Sequence, residues 1–266
     1  MTTPDAVPAD RVPADPVSDL ASPQRVAQLW RFPVKSMGGE RLDTVVLTSL
    51  GIEGDRIAGI EDLASGTILT ARRTPELLFA TARYVDGEVA ITLPDGTEGP
   101  DDAALSSWLG RDVALRSAVG TDEGGTYEVP LDAENDADWV QWTGPGGAFH
   151  DSARTRVSLL GLETVAAWGI ERFRANVWLT GGGEDALERH RVRLGAAELT
   201  VRKKIDRCVM ISKAFPGGLE RDLGVLKAVI AERENFAGIG ALVAEGGTVA
   251  EGDEVSDLGA FDPAAG

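Results

Sequence analysis

Nearly every apolar stretch in this chain is short and ends at a glycine or a proline. A helical bundle needs long, uninterrupted patterns of 3.6-residue period, whereas a sheet structure needs many brief runs separated by turns. The 32 glycines and 13 prolines favour the second, and the aromatic content of 6% is compatible with it. In YVDGEVAI (84–91), Asp86-Gly87 stands between two β-type runs, the strongest short-range hairpin signal. A β-rich α+β chain is expected.

The same reading extends along the chain. VAQLWRFPVKSM (26–37) predicts a strand running into a loop near Lys35 and Ser36. LDTVVLTSLGIEGDR (42–56) predicts a second strand broken by Gly51 and Gly54, and GTILTARR (66–73) and LLFATARYVDGEVAITLPDGT (77–97) continue as strands. DDAALSSWLG (101–110) predicts a short helix that Gly110 stops. The acidic, turn-rich stretch 121–139 is a candidate linker or domain-crossing loop. Beyond it, Leu162, Val165 and Ala166 recur at helical spacing, so 156–173 predicts a helix on a sheet. ANVWLTG (175–181) is a strand, 190–212 a hairpin turning near Gly195, and 238–255 strand, turn and strand. A helix over 219–235 would bury Leu219, Leu223, Leu226, Val229 and Ile230 as one stripe.

Charge narrows the function. A net charge of −17 repels nucleic acid and anionic lipid, and no apolar run approaches the roughly 18–20 residues that span a bilayer. The opening residues alternate Pro, Ala and Asp with no basic start, which predicts a solvated tail rather than a secretory signal, and hence a cytoplasmic location. Against this acidity, Arg72 and Arg73, and Lys203 and Lys204 with Arg207 nearby, form basic clusters: either a local anion site or solvated strand edges. A single cysteine, Cys208, excludes within the chain a disulfide framework, a multi-cysteine zinc site and a cysteine-ligated iron–sulfur cluster. Two distant histidines, His150 and His190, make a His-rich metal site unfavourable.

Taken alone, Cys208 reads more readily as a buried structural thiol than as a catalyst. Nearby cations would stabilise its thiolate, and Asp206 opposes them. On a regular strand Lys204, Asp206 and Cys208 share a face and Arg207 points away, so cooperation of Arg207 with Cys208 requires the strand to bend or end near Asp206. Lys35, after Pro33-Val34, and Arg56, after GIEGD, stand in turns that could present backbone N–H groups and cations to an anion. Arg174 and Asn176 lie two apart in FRAN, a fork and an amide on one strand face. Asp151 and Ser152 in FHDSAR suit an exposed, capped turn.

Five segments in order, RFPVKSMGGE (31–40), GIEGDR (51–56) with TARRTPEL (70–77), FHDSAR (149–154), RFRAN (172–176) and IDRCV (205–209) ahead of GDEV (252–255), give the chain a resemblance to a family. It resembles MOSC (molybdenum-cofactor sulfurase C-terminal) proteins with an N-terminal MOSC β-barrel, the group containing the mitochondrial amidoxime-reducing component and its bacterial relatives. The resemblance spans roughly residues 25–257. It implies a MOSC β-barrel with peripheral helices at 121–258 and an N-terminal β-barrel-like domain at 25–120, flanked by tails at 1–24 and 259–266. It also implies a molybdenum cofactor between the two units. Phosphate and pterin would be held by Lys35, Ser36, Arg56, Arg174 and Asn176. The metal would be held by Cys208, with Arg207 touching the cofactor and Asp151 and Ser152 near the metal or pterin.

The implied activity is a monomeric reductase removing oxygen from a small N-hydroxylated or N-oxide substrate, with Cys208 and Asp151 at the reaction centre. Lacking an iron–sulfur cluster of its own, it would draw electrons from a separate protein of flavin reductase, ferredoxin or cytochrome type. Two rivals keep the same site: Cys208 as a persulfide sulfur carrier, and a non-catalytic module binding the cofactor or a pathway intermediate. Asp206, Val209-Met210-Ile211 and Arg154 depart from the family pattern near the expected substrate pocket, where small or hydroxyl residues are common.

Overall fold

Asp86 and Gly87 both take positive φ (53° and 86°), which closes a two-residue turn between the antiparallel strands Thr81–Val85 and Glu88–Thr92. That geometry matches the twist of the flanking strands and is why Asp-Gly signals a hairpin. The computed structural model describes residues 23–130 and 138–261.

In chain order the first half contains β1 (Val26–Arg31), β2 (Glu40–Leu42), β3 (Thr44–Thr48), β4 (Gly51–Ile52), β5 (Ala58–Asp62), β6 (Thr67–Ile68), β7 (Thr81–Val85), β8 (Glu88–Thr92), α1 (Asp102–Leu109) and β9 (Val113–Ser117). The second contains β10 (Glu123–Pro130), β11 (Trp139–Pro145), β12 (Val157–Gly161), β13 (Val177–Leu179), β14 (His190–Leu194), β15 (Ala197–Asp206), α2 (Leu223–Arg233), β16 (Phe236–Glu245), β17 (Gly247–Ala250) and β18 (Val255–Ala260). Strand dominates, and two α-helices are peripheral among the described residues, so the fold is β-rich α+β.

The largest sheet runs β18-β14-β15-β16-β12-β13-β1-β2, so the first two strands complete a sheet otherwise built from the second half. β3 of the first half likewise pairs with β17 of the second, antiparallel. Leu29, Val45 and Leu47 therefore pack in one core with Leu159, Val201 and Ile239. A second core, including Val34, Met37, Ile60, Leu77 and Leu105, lies under β5–β9 and α1 and also takes Phe215 from the second half. The halves are interlocked at both cores. The turn carrying Lys35 and Ser36 leaves the large sheet and enters the second core between them.

Several expectations hold in detail. α1 is capped by the Asp101 side chain and stopped by Gly110 at φ 64°, and β14–β15 turn at Gly195 (φ 53°). Others are corrected. The stretch 156–173 is not a helix: it is β12 followed by two single 3₁₀ turns, Ala166–Trp168 and Ile170–Arg172. β12 lies between β16 and β13, parallel to the latter, and interior strands of that kind carry continuous apolar runs that mimic a helix pattern. Gly161 and Gly169 then break the segment.

The supposed linker 121–139 contains β10, which pairs with β11 as a two-stranded ribbon; its residues 131–137 lie outside the described residues. The segment 75–79 is a 3₁₀ turn led by Pro75, and strand begins only at Thr81. α2 begins at Leu223 behind the Asp222 cap, leaving Leu219 outside it. Its buried face is Val225 and Val229, whereas Leu223 and Ile230 are 47% and 38% exposed. Of the expected tails, residues 1–22 and 262–266 lie outside the described residues, and Gly259 and Ala260 belong to β18.

Candidate functional site

The expected residues come together where loops of both halves meet. After β1, the Lys35 N–H donates to Ala58 O at 2.8 Å, tying the turn to β5. Arg56 donates its N–H to Phe32 O (2.8 Å), and its carbonyl accepts from Phe149 N–H (2.7 Å), which draws the FHDSAR segment beside the first two. Arg174 sits in the loop entering β13. Ser36, Arg56 and Arg174 all hold positive φ (70°, 55° and 50°). Non-glycine residues in that region are strained, and such strain concentrates at functional sites.

Lys35 is 4% exposed, and its Nζ donates to Phe149 O at 3.1 Å, pairs with Asp151 and lies 4.4 Å from the centre of the Tyr127 ring. Burial pushes the ammonium pKa down; Asp151 opposes the shift, and the neighbouring charges of Arg56 and Arg174 add to it. The crowding of protein atoms around Asp151 favours the protonated acid. Its side chain is nonetheless 84% exposed, and the charge and hydrogen bond of Lys35, with Arg56 and His150, hold its carboxyl below the usual range. Arg56 pairs with Asp55, which is buried and also accepts the Phe32 N–H at 2.7 Å. The Phe32 ring lies between two guanidiniums, 5.2 Å from Arg56 and 4.3 Å from Arg174. Arg174 makes no hydrogen bond or ion pair among the described residues. Burial and Arg56 push its pKa down to about 9.

β15 ends at Asp206, with its pairing to β16 irregular between Lys204 and Asp206, so the break required for Arg207 and Cys208 is present. Cys208 begins the 3₁₀ turn Val209–Ser212. Burial pushes its thiol pKa up; the Met210 N–H, Arg72 and Arg207 pull it down, and Asp151 pushes it up. The thiol is thus within electrostatic reach of Asp151 from one segment and Arg72 from another. Asp206 is exposed and accepts from Lys203 Nζ at 3.0 Å, so its carboxylate is turned away to solvent. The cluster Lys203–Lys204 is accordingly a strand surface rather than part of the anion site.

Four more of the expected residues are already engaged by the protein. The Asn176 Oδ1 accepts from Ser158 N–H (3.3 Å) and Oγ (3.0 Å), and its Nδ2 donates to Trp30 O (3.2 Å). Arg207 donates to Ala237 O through Nε (2.8 Å) and Nη2 (2.5 Å), and to Phe173 O through Nη1 (3.2 Å), clamping the loop of Arg174 to β16. Burial pushes its pKa down to about 10. Ser152 Oγ accepts the Arg154 N–H at 3.0 Å, and Ser36 Oγ the Ala71 N–H at 3.0 Å; both keep a hydroxyl hydrogen to give.

Tyr127 and Asp55, which the sequence did not single out, complete the walls with Arg72 of the basic pair Arg72-Arg73. Tyr127 comes from the ribbon read as a linker, and no local signal marks it. Asp55 lies inside GIEGDR, where the neighbouring Arg56 carries the more visible charge. Arg72 shares the Trp139 ring with Arg73, their guanidiniums 5.6 and 4.9 Å from its centre. Among the described residues no group of three His, Cys, Asp or Glu side chains could hold a metal ion. A metal held at this one thiolate would need its remaining ligands from a bound organic group. The donor set fits such an anionic group: three cations face two carboxylates, and the Arg174 guanidinium makes no hydrogen bond or ion pair among the described residues.

Residues 23–113 match the family model of the MOSC N-terminal beta barrel domain, and residues 150–256 that of the MOSC domain. Among solved structures, the chain is similar to the YuaD protein of Bacillus subtilis, at 14% identity and TM-score 0.45 over 87% of this chain and 93% of that one. It is also similar to YiiM of Geobacillus stearothermophilus, at 14% identity and TM-score 0.34 over 53% of this chain and 74% of that one. No curated protein matches it. MOSC domains take their name from the C-terminal domain of molybdenum-cofactor sulfurase and are associated with binding that cofactor. Matched in order by both domains, with Lys35 and Arg56 contributed by the first and Arg174 and Cys208 by the second, the chain belongs to the MOSC proteins that carry an N-terminal MOSC β-barrel.

Proposed function

We propose that this protein is a molybdenum-cofactor-dependent reductase of small N-hydroxylated or N-oxide compounds, fed with electrons by a separate redox protein of flavin reductase, ferredoxin or cytochrome type. The observation that carries the reading is that Asp151, paired with Lys35 in the cluster of Lys35, Arg56 and Arg174, is also within electrostatic reach of the one thiol, Cys208, while Arg174 makes no hydrogen bond or ion pair among the described residues. When bound, the molybdenum–pterin group supplies two-electron oxygen-atom-transfer chemistry. In the net reaction the N–O bond breaks, and two electrons and two protons turn N–OH into N–H and water.

The chain's own residues bind, orient and supply charge. Lys35, Arg56 and Arg174 take the phosphate and pterin end, with hydroxyl hydrogens from Ser36 and Ser152. Cys208 gives the metal its protein ligand, and loading must remove the proton that burial stabilises on the thiol. Asn176 and Arg207 position: the first holds the strand β13 to β1 and β12, the second fixes the Arg174 loop, and each presents at most an edge to the cofactor. Asp151, ionised and open to solvent beside Lys35, is placed to receive and pass a proton. The protein acts as a soluble cytoplasmic monomer in this reading.

Metal and pterin analysis after expression in a cofactor-producing host tests the proposal. Stoichiometric molybdenum, lost in Cys208→Ala while pterin binding persists, is expected. A metal-free protein carrying labile sulfane sulfur on Cys208 would replace the reading with sulfur transfer. Metal retention without reduction of any N-hydroxylated compound, given a competent donor, would leave a binding module.

A further inference from the structure

Between the turn Pro75–Phe79 and the segment after Cys208 lies a hollow of about 380 Å³, lined by Pro75, Glu76, Phe79, Lys213, Ala214 and Arg221. Its size is that of a small-molecule site. Phe79 offers an apolar surface, 40% exposed. Lys213 and Arg221 make no side-chain hydrogen bond or ion pair among the described residues. In a chain of net charge −17, a hollow lined by two cations and one carboxylate, Glu76, is a local reversal of sign.

The walls are held in place. The buried Arg172 donates to Ile211 O (3.2 Å), Lys213 O (2.7 Å) and Glu220 O (2.7 Å), which fixes the loop between the two cations. Phe215 anchors that loop in the same core as Leu77 and Leu78, which carry the opposite wall. Lys213 closes the turn that Cys208 opens, its N–H donating to Met210 O at 3.0 Å. Cys208 and Lys213 therefore flank one and the same 3₁₀ turn, Val209–Ser212. Arg72, whose charge reaches the thiol, lies three residues before Pro75, at the start of the opposite wall.

We infer that this hollow binds the anionic end of a small organic molecule, a carboxylate on an aromatic or apolar body, and that such acids are the preferred substrates of the Cys208 site. The second clause rests on the reductase reading; the first does not. Phe79 supports the body, Lys213 and Arg221 hold the carboxylate, and Glu76 on the rim discriminates against dianions. This sets substrate choice on the segment after Cys208, where the sequence departs from hydroxyl-rich relatives.

Benzoate and benzamide have the same shape and differ in charge. Calorimetric titration of the metal-free protein is expected to show benzoate about fivefold tighter, the effect of two partly exposed ion pairs. The preference disappears in the Lys213→Ala/Arg221→Ala double variant, and Phe79→Ala weakens both ligands. All three positions are at the surface of the hollow, and circular dichroism confirms folding. Equal binding, a preference surviving in the double variant, or binding of a polyglutamate peptide in place of benzoate would each overturn the inference. In the loaded enzyme, 4-carboxybenzamidoxime should show a lower KM than benzamidoxime, and the double variant should raise only the former with kcat unchanged. Turnover of neither compound would count against the reductase reading and leave the benzoate result standing.

Discussion

Lys35 and Asp151, 116 residues apart, form an ion pair with unequal surroundings: the ammonium is 4% exposed over the Tyr127 ring, and the carboxylate is 84% exposed. Removing one partner from such a pair has different consequences on the two sides. Asp151→Ala leaves a buried cation with only Phe149 O and the Tyr127 ring, whereas Lys35→Met leaves a carboxylate that water can solvate. Asp151→Ala is expected to cost about 2 kcal/mol more stability than Lys35→Met. Urea denaturation of the metal-free variants measures it, and a larger loss in Lys35→Met would contradict the assignment of burial.

Asn176 and Arg174 are neighbours with opposite tasks. Asn176→Ala strands Ser158 and Trp30 O and should lower stability by about 2–3 kcal/mol without cofactor. Arg174→Ala removes a guanidinium with no hydrogen bond and relieves its repulsion with Lys35 and Arg56, so stability should stay within about 1 kcal/mol of the parent. Its cost appears instead as reduced molybdenum and pterin content. Parallel melting curves and metal analysis separate the two.

His150, 5% exposed and bonded through Nε2 to Leu50 O at 3.0 Å, has its pKa pushed down to about 4 by burial and by Arg56. The unfolded chain binds the proton near 6.5, so between pH 6.5 and 4 it holds more protons than the folded one. The neutral ring therefore contributes stability above pH 6.5 that is lost as pH falls towards 4, on the order of 3 kcal/mol in all. His150→Gln should flatten that part of the profile in chemical denaturation at stepped pH. An unchanged slope would assign the acid loss to carboxylates.

Cys208 has the opposite sign. Burial raises its pKa above the ordinary thiol value, so the metal-free protein keeps it protonated at neutral pH. Alkylation by iodoacetamide should be slower than for a free thiol at pH 7.5 and should rise with pH past the range where a free thiol has levelled off. Arg72→Ala should slow it further, since that cation favours the thiolate. Rapid alkylation at pH 7 would mean the thiol is activated before any cofactor arrives.

Much of the fold is local and was legible. The Asp86-Gly87 turn, the Asp101 cap with its Gly110 stop, and the Gly195 hairpin follow from residues whose backbone preferences act over a few positions. Errors arose where burial overrode pattern. Val157, Leu159 and Leu160 form an interior strand that looks helical because both of its faces are covered. Glu123–Pro130 looks like a linker because its ribbon partner lies across an acidic stretch. Leu223 joined a stripe on spacing, although α2 buries Val225 instead.

By itself the sequence determined that this would be a glycine-punctuated, β-rich chain with one thiol and no capacity for a cysteine-built cluster, and it ordered the basic motifs around that thiol. Tertiary structure alone decided what those motifs do. It turned Asp206 outward to Lys203, committed Asn176 and Arg207 to the backbone, and left Arg174 with no hydrogen bond or ion pair among the described residues. It also brought Tyr127 and Asp151 to Lys35. The reason is physical: backbone choice is set by neighbours in the chain, whereas burial, charge pairing and pKa are set by neighbours in space. Lys35 and Asp151, for example, lie 116 residues apart.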